Sequence, residues 1–352
     1  MAGIAVGSGG GGDSAPSEPG RQGGPKPLDL QVQVGQLLIS SFDGTELPDY
    51  MRHRLQDGQT AGVILFGGNA QDPDQLTALT KSIHQAAGGS AVVGTDQEGG
   101  PIRSIDFAGP AKAQPQMSSS AEVRSLYRKA GRALHGLGVN VDFAPVADVS
   151  NGGNSILQGR VFRGGYGQVV ADVQAAVRAL RSAGVGAAVK HFPGLGAALD
   201  NTDDKPVAIG GDRDQLEGPL IPFREAVKAK VPLVMASHAF YPGVDKRHPA
   251  SQSPEILGNL LGKGMKFRGA IVTDSIEARG ILRYSSLEVA AERSIAAGAD
   301  LVLMTGSGSW KRVYPHLLKK AQSSPAFRRK VAQAARRVLV LKRKLGLRPP
   351  PG

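Results

Sequence analysis

The residues of this chain that could do chemistry sit at the ends of apolar runs. Asp96 ends "AVVGTD" at residues 91 to 96, and Lys190 and His191 end "VGAAVKH" at 185 to 191. His238 ends "PLVMASH" at 232 to 238, and Asp274 ends "GAIVTD" at 269 to 274. A buried charge is costly unless it is paired. Any one of these groups could belong to a structural ion pair, but together they argue for a site. Two chemistries use such residues. A metal-dependent amidohydrolase needs His and Asp ligands on successive strands and normally two more His from the first. Here "LLISSFDG" supplies none, and the seven His of the chain are mostly scattered on helical segments. Glycoside hydrolysis instead needs a carboxylate nucleophile, a second group as acid/base, and polar residues that grip sugar hydroxyls. Asp274 could attack an anomeric carbon and form a covalent glycosyl-enzyme. Lys190, His191 and Asp96 are suited to bonding hydroxyls in a fixed geometry.

The elements that must position these groups form a rhythm. Strand candidates lie at 36 to 42, 62 to 66, 91 to 96 and 139 to 146, and again at 185 to 191, 232 to 238, 269 to 274 and 299 to 304. Most are continuously apolar, as expected of strands buried on both faces. Helical patterns lie between them at 74 to 87, 121 to 137, 168 to 183, 214 to 229 and 285 to 297. Eight such units imply an α/β fold, a single (β/α)8 TIM-type barrel over residues 29 to 349, whose strand ends converge on one face. An open doubly wound sheet is the alternative, but no Gly-x-Gly-x-x-Gly follows the first strand.

Composition narrows the possibilities further. The chain has no cysteine, so disulfide and thiolate chemistry are excluded. Its net charge of +12 suggests attraction to anionic partners such as acidic cell-envelope polymers. Much of that charge lies in residues 327 to 346, where Val331, Ala334, Ala335, Val338, Leu339, Leu341 and Leu345 recur at helical spacing. This reads as a closing amphipathic helix with a solvated basic face. Aromatic residues are only 5% and no nucleic-acid motif accompanies the charge, so no nucleic-acid partner is expected. Residues 1 to 28 are Gly/Ser/Pro-rich and read as a flexible tether. Their "AGIAV" is too short for a signal-peptide core but could end a membrane segment begun upstream. The compartment is therefore open between cytoplasmic and exported or membrane-tethered. A monomer is expected.

A series of motifs in this order resembles the N-terminal barrel of glycoside hydrolase family 3, most closely its single-domain β-N-acetylglucosaminidases. The motifs are "GVILFGGN" at 62 to 69, "DQEGG" at 96 to 100, "NVDFAPVADV" at 140 to 149 and "GRVF" at 159 to 162. They continue with "KHFPGLG" at 190 to 196, "MASHAFYPGVD" at 235 to 245, "HPASQSP" at 248 to 254, "VTDSIEARGI" at 272 to 281 and "AGADLVLM" at 297 to 304. The resemblance implies a retaining glycosidase that needs no cofactor or metal. Its carbohydrate substrate would carry a terminal β-linked amino sugar, from peptidoglycan or its fragments. It implies Asp274 as nucleophile and Asp96, Arg160, Lys190 and His191 as sugar-binding residues, with His238 lining the same pocket. Glu98 and Asp96 can also be read as caps of the "EGG" turn, and Arg160 as a surface loop charge.

Two departures from the family pattern matter. A basic residue usually stands eight positions after the Asp of "DQEGG"; here that place is Ser104, and Arg103 is the residue expected to reach the sugar. The single-domain enzymes also carry "KHFPGHG" followed by Asp-Ser-His, whose His is the acid/base. This chain has Leu195 in the first motif and "DNTDD" at 200 to 204 in place of the second, with no His from 192 to 237. Three readings are open: Asp203 or Asp204 is the acid/base, turnover is confined to easily released leaving groups or to a different acceptor, or the barrel binds glycans without cleaving them.

Overall fold

Each of the eight apolar runs becomes one parallel strand. The strands are β1 (Leu38–Ser40), β2 (Gly62–Leu65), β3 (Val92–Thr95), β4 (Val141–Asp142), β5 (Gly186–Phe192), β6 (Leu233–Ala236), β7 (Ala270–Ser275) and β8 (Leu301–Leu303). In this computed structural model, which describes residues 1–7, 28–150 and 154–351, they close into a barrel in sequence order. Closure is made by β1 against β8, with Leu38 opposite Val302. A separate apolar cluster takes Ile39, Ile64, Val92, Val141, Ala188 and Leu233 from six different strands, filling the barrel with side chains rather than leaving a pore. The stretch expected as a tether falls largely on residues outside the described ones. No described helix is long and apolar enough to cross a membrane.

The expected helices form as α3 (Pro73–Ala86), α4 (Ser120–Gly136), α5 (Tyr166–Ser182), α6 (Glu217–Lys228) and α8 (Leu287–Ala297). They follow α1 (Leu30–Gly35) and α2 (Asp49–Gln56), two short helices that periodicity does not mark. In α2 only Met51, Arg54 and Leu55 are buried, too few to draw an apolar stripe. A wider helix, Pro254–Gly264, links β6 to β7, and the four-residue α7 (Arg279–Leu282) follows β7. The chain closes with α9 (Trp310–Ser323) and α10 (Pro325–Lys344).

The closing helix is amphipathic as expected, with one correction to its solvated basic face. Lys342 is buried, its Nζ donating to Gln36 Oε1 just before β1. Burial alone lowers its pKa to about 7. Arg337 also turns inward, donating to the buried Asp300 at 3.0 Å.

Candidate active site

The strand ends meet over the barrel mouth. After β3 the chain folds into a small hairpin, Gln97–Gly99 against Ile102–Arg103, which brings Glu98 back over the barrel. Lys190 Nζ, from β5, donates to Asp96 Oδ1 at 2.6 Å and lies 2.7 Å from Glu98 Oε1. Arg160, from the loop after β4, grips the same Glu98 carboxylate with two N–H groups, at 2.9 and 2.6 Å. Burial alone would raise the Glu98 pKa, but Lys190 and Arg160 outweigh it and hold the carboxyl at about 2. Burial would likewise lower Lys190, yet Asp96 and Glu98 keep its pKa above the usual range. Below them Asp142, at the end of β4, accepts from the Gln97 N–H at 3.1 Å. Its other oxygen is buried and has no hydrogen-bond partner among the described residues. Burial, with Asp96 and Glu98 adding to it, lifts this carboxyl well above the usual range despite Lys190. Above Asp142 two carboxylates balance two cations.

A further carboxylate shapes the turn that follows Lys190. Asp148 is fully buried and accepts from the His191 N–H at 3.1 Å, from His191 Nδ1 at 2.7 Å and from the Leu195 N–H at 2.6 Å. These bonds clamp both ends of the "HFPGL" turn and make Nδ1 the protonated ring nitrogen. Nε2 is left as the ring atom available to the pocket. Tyr241 donates to Gly194 O at 2.9 Å from below. At Gly196 a Cβ would stand 2.0 Å from Val149 O, so the turn can lie on the β4 loop only with glycine there.

Asp274 ends the buried face of β7 and looks into a pocket of about 490 Å³. Burial would raise its pKa, but His191, His238, the Ser275 N–H and Lys190 together bring it below the ordinary value. It is thus an ionised carboxylate beside a charge-balanced cluster. Glu277 lies on the same wall and is saturated with donors: the Thr305 and Gly306 N–H groups at 3.0 and 3.1 Å and the Ser309 hydroxyl. The remaining wall includes Phe66, Ile102, Leu157, Met235 and Leu303, apolar surface of the kind that meets a sugar ring or an acyl group.

Of the residues expected from the sequence, Asp96, Arg160, Lys190, His191, Asp203 and Asp274 line this one pocket. Three do not. Arg103 follows Ile102 in the hairpin, and because successive side chains alternate, Ile102 takes the pocket wall while Arg103 reaches toward Pro110 O. His238 is fully buried behind the wall, with Nε2 bonded to Ser275 O at 2.8 Å and Nδ1 to the Ser251 hydroxyl at 2.7 Å. A carbonyl can only accept, so Nε2 carries the proton, and neither nitrogen is free for a sugar. Asp204 is exposed on the turn beside Asp203 and outside the pocket. Sequence reasoning missed Glu98 as more than a turn cap, and also Asp148 and Glu277. Their signal was position alone: Glu98 and Glu277 stand within three residues of a strand-end Asp, and Asp148 lies in "NVDFAPVADV".

Comparison with known proteins agrees with this geometry. Residues 29–341 match the glycosyl hydrolase family 3 N-terminal domain. A β-hexosaminidase of Thiobacillus denitrificans is 33% identical, over 78% of this chain and 79% of its own. An uncharacterised secreted glycosyl hydrolase of Arthroderma benhamiae is 32% identical, over 79% of this chain and 83% of its own. Among solved structures, a β-N-acetylglucosaminidase of this family from Paenibacillus superposes with a TM-score of 0.87 at 28% identity. The match covers 92% of this chain but 64% of that enzyme. A β-N-acetylhexosaminidase from Beutenbergia cavernae gives 0.80 at 28% identity, with 90% of this chain and 98% of that one covered.

Proposed function

Because the chain belongs to glycosyl hydrolase family 3, we propose that it removes terminal β-linked N-acetylglucosamine-like residues with retention, through a covalent glycosyl-Asp274 intermediate. The observation that carries this reading is the ionised Asp274 carboxylate at the end of β7, facing a pocket in which Asp96, Glu98, Lys190 and Arg160 are already paired with one another. A lone negative charge there stabilises the positive charge that develops on the sugar as the glycosidic bond breaks. Asp96, held by Lys190 through one oxygen, presents the other to sugar hydroxyls, and His191 Nε2 offers a further polar contact. Arg160 and Lys190 grip the sugar from the cluster they form with Glu98. The metal-dependent amidohydrolase alternative gives way to this family. The net charge of +12 is compatible with peptidoglycan or its fragments as the source of substrate.

The test is to incubate the protein with a fluorinated amino-sugar fluoride and with an activated aryl β-N-acetylglucosaminide. Mass spectrometry is expected to find a glycosyl adduct on Asp274, absent in Asp274→Ala together with turnover. Sugar binding without adduct or turnover would replace this reading with that of a glycan-binding barrel.

A further inference from the structure

We propose that Asp203 is the general acid/base of this site, an assignment that rests on the glycosidase reading above. The pocket wall carries six carboxyl groups, and five are committed elsewhere. Asp274 is the nucleophile. Asp96 and Glu98 are held by Lys190 and Arg160. Glu277 is saturated by donors from the Thr305 and Ser309 region. Asp200 pairs with Lys205 at 2.9 Å in solvent. A general acid must carry a proton near neutral pH and then release it, which a carboxylate fixed by a cation does badly. Asp203 makes no ion pair among the described residues, and partial burial first, then the negative charge of Asp274, raise its pKa above the ordinary carboxyl value.

Its position is built into the fold. The Arg279 N–H donates to Asp203 O and the Gly280 N–H to Thr202 O, both at 3.0 Å. The loop is therefore bonded to the first turn after β7, five residues beyond the nucleophile. A Cβ on Gly280 would lie 2.6 Å from Thr202 O and 2.9 Å from Lys205 O, so this docking needs a residue without a side chain. Asp203 is solvent-exposed and lines the pocket, so it stands at its rim. His191, on the same wall, is buried at the end of β5, with its Nδ1–H engaged by Asp148 and its Nε2 assigned above to the sugar.

The proton balance closes. In the first step the Asp203 carboxyl proton passes to the glycosidic oxygen as the bond from that oxygen to C1 breaks and an Asp274 oxygen bonds to C1. Esterification removes the Asp274 charge, which lowers the Asp203 pKa and makes it the base for the second step. Asp203 then takes a proton from water while the water oxygen attacks C1. The C1–Asp274 bond breaks, restoring both starting groups.

Asp203→Asn and Asp204→Asn, both at exposed positions, are compared with the parent on a β-linked N-acetylglucosamine disaccharide and on the dinitrophenyl glycoside. Asp203→Asn is expected to lose about 10²–10⁴-fold in kcat/KM on the disaccharide and far less on the activated glycoside. Azide should accelerate its turnover on the dinitrophenyl substrate and yield the β-glycosyl azide, while Asp204→Asn behaves as the parent. Equal losses on both substrates, no azide acceleration, or the expected pattern in Asp204→Asn instead would overturn the assignment. Trapping of Asp274 in the parent separates the two levels: an adduct with an unaffected Asp203→Asn removes the acid alone, and no adduct removes the reaction with it.

Discussion

Replacing Glu98 by Gln keeps the shape of the side chain and deletes the charge on which Lys190 and Arg160 converge. Holding this buried carboxyl at about 2 instead of 4.5 corresponds to about 3 kcal/mol in favour of the folded state at neutral pH. The folded pKa is depressed, so the contribution is complete above 4.5 and is lost as the pH falls toward about 2. Urea unfolding at neutral pH should therefore find Glu98→Gln less stable by about 3 kcal/mol, with an unchanged denaturant slope. Between pH 5 and pH 3 the parent gives up its advantage while the variant is insensitive, so the gap should narrow by roughly 2 kcal/mol. Removing one partner of a buried ion pair typically costs about 3–5 kcal/mol, which agrees in size. Activity should fall as well, because the two cations lose the group that aims them. A gap below about 1 kcal/mol at neutral pH, or one that stays constant from pH 5 to pH 3, would refute the ionised, doubly paired Glu98.

Two further expectations concern buried groups outside the pocket lining. Lys342 has its pKa lowered from 10.5 to about 7, so its stability contribution is fully present above 10.5 and is lost as the pH falls toward 7. Lys342→Met should gain on the parent over that window by up to roughly 4 kcal/mol, and parallel stability–pH curves in urea would contradict it. Asp148→Asn removes the charge that His191 Nδ1 and two backbone N–H groups share. Its KM should rise about tenfold, the worth of one charge-assisted hydrogen bond, with a smaller change in kcat. A KM equal to the parent's would show that Asp148 does not position His191 for the sugar.

The strand-helix alternation of this chain was legible because buried parallel strands are continuously apolar and the helices between them carry one apolar face. All eight strand runs and the strand-end groups Asp96, Lys190, His191 and Asp274 could be read without coordinates. Short helices such as Asp49–Gln56 could not, since so few of their residues are buried. The site itself divides the same way. Residue type and strand position sufficed to nominate Asp274 as a candidate nucleophile and Lys190 and His191 of "KHFPG" as candidate sugar contacts. They could not show that Arg103 faces away, that His238 has both ring nitrogens spent, or that Glu98 unites Lys190 with Arg160 across 62 residues of sequence from the latter. Those facts depend on which side of a hairpin a side chain takes and which distant loop it meets. The same holds for the "DNTDD" loop, where two adjacent aspartates are indistinguishable as letters. The docking of Thr202 and Asp203 onto Arg279 and Gly280 fixes the loop, and of the two exposed aspartates Asp203 lines the pocket and Asp204 does not.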